Sequence, residues 1–297
     1  YYSQLDWHHP DYFPLGWTGR KTGRPEAGEW SAYLDYQNAQ IKELAENYEI
    51  AGFWFDGWWD QAPEKEDWHK TVEYRIEGIE WDLESTYKKI HDIDSKLLIG
   101  NNHHELPFEG EDYQMFEKDL PGKNTTGFGG ADIGQLPLET CETINQSWGF
   151  NLQDDKHKSV PELIRYLVKA AGNNANFLLN IGPMPNGKVQ EEHKEILKSI
   201  GEWLTVYGET IYGTRQGLAV TDDNIVSTRR GDKLYLHVLG EAGNELVIPN
   251  FDLKIKKAIF FKDKTLVNFS LKKRELKLAI PTDKKEAIDT VIEITLK

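Results

Sequence analysis

The apolar stretch IAGFWFDGWW, residues 50–59, contains a single acidic residue, Asp56, followed by a glycine and two tryptophans. An unpaired carboxylate is costly in an apolar interior, so this acid must have a partner or a task. As a structural group it would cap a helix or form a salt bridge at the end of a strand. As a chemical group it would be a nucleophile that a rigid strand holds in a partly dry aromatic pocket. Both interpretations are open at this point.

A second carboxyl group is needed for the chemistry that such a nucleophile suggests. In glycoside hydrolysis one carboxylate attacks the anomeric carbon while another carboxyl group protonates the leaving oxygen. The downstream candidates are Glu105, Glu109, Glu111, Glu117, Glu139 and Glu142. Most of them are expected on the solvated surface, and their spacing does not select one.

Other catalytic patterns fit less well. The pairs His8-His9 and His103-His104 lack an H-E-x-x-H or other metal-ligand spacing, so we expect structural or substrate-bonding histidines and no metal. The chain has no G-x-S-x-G motif, and its single cysteine, Cys141, has no evident basic partner.

The composition narrows the possible partners. With a formal net charge of −14 over 297 residues, nucleic acid and anionic membranes are disfavoured, because phosphate binding needs a basic surface. The many aromatic residues mostly build cores, but flat rings also line sugar-binding clefts. No apolar run approaches the roughly 20 residues of a spanning helix, and we expect no signal peptide in this chain. We expect a soluble protein; its compartment stays open, with the periplasm or the exterior slightly favoured.

Apolar runs alternate with helical patterns up to residue 213, which predicts a parallel sheet covered by helices. Predicted strands stop at the polar residues Asp56, Asn101 and Asn180, as in a (β/α)8-type barrel, whose chemistry lies at the carboxyl ends of its strands. An open doubly wound sheet is the main alternative, but no glycine-rich phosphate loop opens a helix. Helical patterns cover residues 34–48, about 71–94, 160–170 after the capping box Ser159-Val-Pro-Glu162, and 196–207.

Beyond residue 213 the sequence consists of short strands and turns, which predicts a small antiparallel β-sandwich. We therefore expect a barrel domain over residues 1–213 and a sandwich domain over residues 214–297. A complete barrel takes about 250 residues, whereas the first domain shows only about five strand signals. We expect a barrel without its first strands, which another chain or an upstream segment could complete.

Five segments in order, YYSQLDWHHPDYF, FWFDGWW, GEDYQMFEKDLPG, LPLETCETINQSWGFN and NFLLNIGPMPNGKV, resemble the α-L-fucosidases of glycoside hydrolase family 29. The resemblance covers essentially the whole chain, and the combination of motifs is specific. It implies a retaining exo-hydrolase that removes terminal α-L-fucose from oligosaccharides or glycoconjugates by double displacement, without a metal or an organic cofactor.

The resemblance also implies roles for individual residues. Asp56 matches the nucleophile, Glu117 the general acid/base, and Glu139 an alternative acid/base. The substrate-binding residues expected from it are Tyr2, Trp54, Trp58, His103 and Trp148. His103 stands where many members carry the arginine of NDRWG, since this chain has NNHHE. The usual first strands, with a fucose-binding histidine pair, have no counterpart here.

A second hypothesis comes from the lack of counterparts to the first strands of the family. An open, partial barrel exposes apolar edges and lacks sugar contacts. The chain could therefore be one subunit of a split fucosidase, or a non-catalytic fucoside-binding remnant. The preferred linkage, the aglycone and the oligomeric state are left open by the sequence.

Overall fold

The computed structural model describes residues 1–12, 28–60, 81–127, 132–218 and 224–297. The chain forms two compact units: unit 1 comprises residues 1–117 and 122–139, and unit 2 comprises residues 118–121 and 140–297. These units are defined by the contacts within them, so the predicted domain division after residue 213 stays a prediction. Residues 71–80 of the predicted charged helix lie outside the described residues.

Unit 1 is built on a three-stranded parallel sheet with the order β1-β2-β3. Its elements are β1 (Tyr2–Ser3), α1 (Trp30–Asn47), β2 (Gly52–Asp56), α2 (Leu83–Ile93), β3 (Leu98–Asn101) and β4 (Gln114–Glu117). Side chains from the sheet and both helices form one core, which contains Ile41, Phe53, Phe55, Tyr87, Ile90 and Ile99. Strands β2 and β3 end at Asp56 and Asn101, as predicted.

The spacing of β2 and β3 depends on a glycine. A Cβ atom at Gly52 would lie 2.1 Å from the backbone oxygen of Leu98, so only glycine allows this approach. Along β2, Phe53 and Phe55 are buried on one face, and Trp54 is half-buried on the other. The strand therefore alternates between its two faces instead of being buried throughout.

Unit 2 contains the last helices and strands of the predicted barrel region. These elements are β5 (Leu138–Thr143), which begins in unit 1, α3 (Val160–Gly172), β6 (Ala175–Asn180) and α4 (Glu191–Tyr207). The predicted capping box opens α3: Ser159 Oγ accepts from Glu162 N, and Ser159 N donates to Glu162 Oε2 at 2.7 Å. Strand β6 ends at Asn180, whose backbone oxygen accepts from Ile144 N at 3.3 Å.

Two antiparallel sheets complete unit 2. Their strands are β7 (Arg215–Gln216), β8 (Ile225–Arg230), β9 (Lys233–Leu239), β10 (Glu245–Ile248), β11 (Ile255–Phe260), β12 (Phe269–Lys272), β13 (Glu275–Ala279) and β14 (Asp289–Leu296). The sheet orders are β11-β14-β9-β8-β7 and β10-β13-β12. Leucines and isoleucines from both sheets fill one shared core, which is the arrangement of a β-sandwich.

The predicted barrel is present only in part. The described strands from β1 to β6 form two three-stranded sheets, with the orders β1-β2-β3 and β4-β5-β6, and no closed barrel. A barrel is one sheet that closes on itself, whereas the described strands of this region form two sheets. Along the same residues, no helix combines the length and the apolar character needed to cross a membrane.

Candidate active site

Asp56 is the last residue of β2, and the backbone turns directly after it. Gly57 has φ +97°, a conformation that favours glycine, and a Cβ atom there would lie 2.7 Å from the Leu5 side chain. The Gly57 N–H donates to Asp56 Oδ1 at 2.9 Å, and the Tyr1 hydroxyl donates to Oδ2 at 2.7 Å. The Asp-Gly pair thus ends the strand and fixes the orientation of the carboxylate.

Asn102 connects Asp56 to a second acid. Its backbone N–H donates to Phe55 O at 2.9 Å, and its side-chain Nδ2 lies 3.4 Å from Asp56 Oδ1 and 2.6 Å from Glu117 Oε2. The two carboxylate oxygens on this bridge are therefore no more than about 6 Å apart. Retaining glycosidases have separations of roughly 5–5.5 Å, and inverting ones roughly 6.5–9.5 Å.

The environment of Asp56 disfavours its charge. Burial raises the pKa of Asp56, and the negative charge of Glu117 adds to the rise. Hydrogen bonds from Tyr1, Gly57 and Asn102 act in the opposite direction, because they stabilise the ionised form. The carboxylate is thus partly dry and is held by neutral donors.

His104 lies beside the second acid. Its Nε2 is 3.7 Å from Glu117 Oε2, and its backbone adopts a left-handed φ of 60°. Burial lowers the pKa of His104 to about 4, so its ring is neutral near pH 7. The sequence prediction named the other member of this pair, His103, as a sugar contact, and that contact stays a prediction.

His103, the member expected to contact the sugar, has different partners. Its Nε2 lies 2.8 Å from Glu111 Oε1, its Nδ1 accepts from Glu105 N, and its ring stacks on Phe108. Both side chains of the His103–Glu111 pair are almost fully buried. Because both ring nitrogens are used inside unit 1, His103 has the environment of a structural residue, and it is His104 that faces Glu117.

The two tyrosines at the start of the chain differ in the same way. Tyr2, the predicted sugar contact, donates to Gln40 Oε1 at 2.8 Å and packs edge-on against Phe55. Tyr1 instead bonds Asp56 and stacks on Trp54 at 5.5 Å. The structure therefore brings Tyr1, rather than Tyr2, to the carboxylate.

Trp54, on which Tyr1 stacks, also contacts Glu139, the alternative acid/base. Its Nε1 donates to Glu139 Oε1 at 2.8 Å. Burial raises the pKa of Glu139, and the Trp54 bond partly opposes this rise. Trp58 lies outside this chain of contacts: its ring packs near His103 and Phe108.

Trp148 belongs to unit 2. The residue is 36% exposed, Lys118 Nζ lies 5.1 Å from the centroid of its ring, and its backbone oxygen accepts from Asn180 Nδ2 at 2.8 Å. Its proximity to Asp56 stays a prediction. Within the described ranges of the chain, no three His, Cys, Asp or Glu side chains come together as a metal centre requires.

Asp56 ends β2 and Glu117 ends β4, and one amide contacts both carboxyl groups. Two carboxyl groups at strand ends are what glycoside hydrolysis requires. Comparison with known proteins agrees: the Alpha-L-fucosidase family model matches residues 1–209. The chain belongs to the α-L-fucosidase family, which confirms the resemblance found in the sequence.

Individual relatives cover different shares of the chain. Alpha-L-fucosidase of Branchiostoma floridae is 26% identical over 249 residues, which are 80% of this chain and 49% of that protein. Human tissue alpha-L-fucosidase is 26% identical over 246 residues, 79% of this chain and 46% of its own. The chain thus spans about half the length of these curated relatives.

Solved structures are similar over more of the chain. Alpha-L-fucosidase isoenzyme 1 from Paenibacillus thiaminolyticus has a TM-score of 0.79 and 29% identity, with 100% of this chain and 71% of that chain covered. The Thermotoga maritima alpha-fucosidase, solved with a mechanism-based inhibitor, has a TM-score of 0.67 and 25% identity, with 89% of this chain and 57% of that chain covered.

Proposed function

We propose that the protein is a retaining exo-α-L-fucosidase that removes terminal fucose from fucosylated glycans. The observation that carries this proposal is the Asn102 bridge, which holds the Asp56 and Glu117 carboxyl groups within about 6 Å of each other. Family membership supports the substrate class. A periplasmic or secreted location is part of the same proposal.

The reaction has two steps. In the first, an Asp56 oxygen forms a bond to the anomeric carbon while the bond to the leaving oxygen breaks and Glu117 gives that oxygen its proton. In the second, Glu117 takes a proton from water, the water oxygen bonds to the anomeric carbon, and the bond to Asp56 breaks. Fucose leaves with its configuration retained, and both acids return to their starting states.

Neighbouring side chains have supporting roles in this proposal. The stacked rings of Tyr1 and Trp54 offer an apolar wall to the methyl group of a 6-deoxy sugar. The neutral ring of His104 can hydrogen-bond a sugar hydroxyl, next to His103, which stands at the place of the family's arginine. The sugar contacts of four other residues stay predictions: Tyr2, Trp58, His103 and Trp148.

Glu139 stays the second candidate for the acid/base. The burial that raises its pKa favours the protonated form that a general acid needs. Its one described bond, however, goes to Trp54, whereas Glu117 shares a donor with Asp56. Geometry therefore favours Glu117.

The decisive experiment compares Asp56→Ala with Glu109→Ala, an exposed acid of the same unit, in hydrolysis of 4-nitrophenyl α-L-fucoside. We expect turnover to fall by orders of magnitude only in Asp56→Ala, with restoration by azide, which can replace the missing nucleophile. NMR of the first sugar released should show the α-anomer. Normal activity in Asp56→Ala contradicts the proposal. Fucose binding without turnover by the unaltered protein favours the non-catalytic alternative.

A further inference from the structure

Asn102 contacts both proposed catalytic acids with one atom. Its Nδ2 lies 2.6 Å from Glu117 Oε2 and 3.4 Å from Asp56 Oδ1, and the side chain is buried. An amide nitrogen carries two hydrogens and cannot accept, so each acid can receive one N–H. Asn102 is thus the one side chain described as donating to both carboxyl groups.

The position of Asn102 is fixed by its surroundings. Its own N–H is bonded to Phe55 O, the residue before Asp56. On one side, Asn101 Nδ2 lies 3.2 Å from Gln4 Oε1 and 2.8 Å from the Tyr87 hydroxyl. On the other side, His103 is paired with buried Glu111. Because both neighbours are anchored, the amide cannot easily follow a movement of either acid.

The bond to Glu117 uses only one of its two oxygens. A hydrogen bond from N–H favours the ionised form of the oxygen that accepts it, so it disfavours a proton on Oε2. When Glu117 is protonated, the proton is therefore directed to Oε1. At Asp56, the same amide supports the ionised form that a nucleophile needs.

We propose that Asn102 is a positioning residue that sets the separation of Asp56 and Glu117 and confines the Glu117 proton to Oε1. This inference rests on the proposed function, since it assigns the two acids their catalytic roles. It adds a residue that touches neither the leaving oxygen nor the anomeric carbon and acts through the two acids.

The test is the pH dependence of kcat/KM for Asn102→Ala. Loss of the N–H raises the pKa of Asp56 further, so the acid limb of the profile should move to higher pH. We expect the maximum to fall by about 10- to 100-fold, the range for a hydrogen bond to a charged group. A purely structural role lowers activity at every pH and leaves both limbs in place.

Two further variants keep the test decisive. Asn102→Ser retains one short donor and should give a smaller shift if it folds where Asn102→Ala does not. Asn101→Ala removes the neighbouring bonds to Gln4 and Tyr87 without touching either acid, so it should lower thermal stability and leave the limbs unmoved. ¹³C-carboxyl NMR titration in the same variants measures the change in the pKa of Asp56 and does not require turnover.

The outcomes separate the two proposals. If Asp56→Ala and Glu117→Gln lose activity but Asn102→Ala and Asn102→Ser keep the unaltered profile and Asp56 titration, only the inference about Asn102 is overturned. If Asp56→Ala and Glu117→Gln are fully active, the proposed function fails. A shift of the acid limb in Asn102→Ala, absent in Asn101→Ala, supports the inference.

Discussion

The two units surround buried acids with different partners. In unit 2, Asp289 on β14 lies 2.7 Å from His237 Nδ1 on β9, and both side chains are completely buried. In unit 1, Asp56 is opposed by another acid, Glu117, and receives hydrogen bonds only from neutral groups. The first arrangement pairs the acid with a histidine, and the second leaves the charge of the acid disfavoured.

The difference separates structural acids from candidate catalytic ones. A buried acid that is hydrogen-bonded to a histidine contributes to the packing of the sheets. Removal of the acid leaves the buried histidine without this partner. An acid placed beside a like charge has a shifted pKa and a stability cost, which is the pattern expected of functional sites. Within unit 1, Glu111 is likewise paired with a histidine, His103, and both side chains are almost fully buried.

The largest expected effect distinguishes Glu117 from Glu139. Glu117→Gln should reduce kcat/KM about 10²–10⁴-fold on fucosides with poor leaving groups, because these need a proton from the general acid. The loss should be smaller on 4-nitrophenyl fucoside, whose leaving group needs little protonation. Glu139→Gln, the matched variant, should lack this dependence on the leaving group. If the pattern appears in Glu139→Gln instead, the acid/base assignment passes to Glu139.

Sequence reasoning located the ends of the strands better than the side chains around them. Strands that stop at Asp56, Asn101 and Asn180 were predictable, because an apolar run followed by a polar residue and a turn marks the edge of a buried sheet. The capping box at Ser159 was equally predictable, since it is a local pattern with a local mechanism.

Neighbouring residues were harder to tell apart. Tyr2 pairs with Phe55 in the β1–β2 register and its ring packs against that residue, while Tyr1 reaches Asp56. Adjacent side chains on a strand point to opposite faces, so neighbouring residues of one motif meet different partners. The sugar contact of Tyr2 stays a prediction. The left-handed backbone at His104, which no sequence pattern indicates, similarly separates it from His103.

The second prediction concerns stability in unit 2. Asp289→Ala should lower the free energy of unfolding by about 3 kcal/mol or more, because His237 then lies buried without its partner. Urea unfolding measures this, with the exposed Asp283→Ala as the control. Activity per folded molecule should be unchanged. A destabilisation no larger than that of the control contradicts the structural role of the pair.

The third prediction is that removing the acid Asp56 from unit 1 increases stability, the opposite of the effect expected for Asp289 in unit 2. Because the folded-state pKa of Asp56 is raised, its contribution to stability is complete below the unfolded value of about 3.9 and is lost as pH rises through the folded value. Asp56→Asn removes this loss, so the variant should be more stable than the unaltered protein near pH 7. The difference should vanish in strong acid. Thermal unfolding over this pH range, with Glu109→Gln as the control, would falsify the comparison if Asp56→Asn were destabilised at neutral pH.

The smallest effect is expected from Tyr1→Phe, which keeps the ring that stacks on Trp54 and removes the hydroxyl that bonds Asp56. That bond lowers the pKa of Asp56, so its loss should move the acid limb of the kcat/KM profile to higher pH. Activity should fall several-fold on the acid side and change little near the maximum, since one neutral hydrogen bond is worth about 1 kcal/mol. Tyr1→Ala, which also removes the stack, should in addition raise KM. An unmoved acid limb in Tyr1→Phe would mean that the two remaining donors, Gly57 and Asn102, suffice to keep Asp56 ionised.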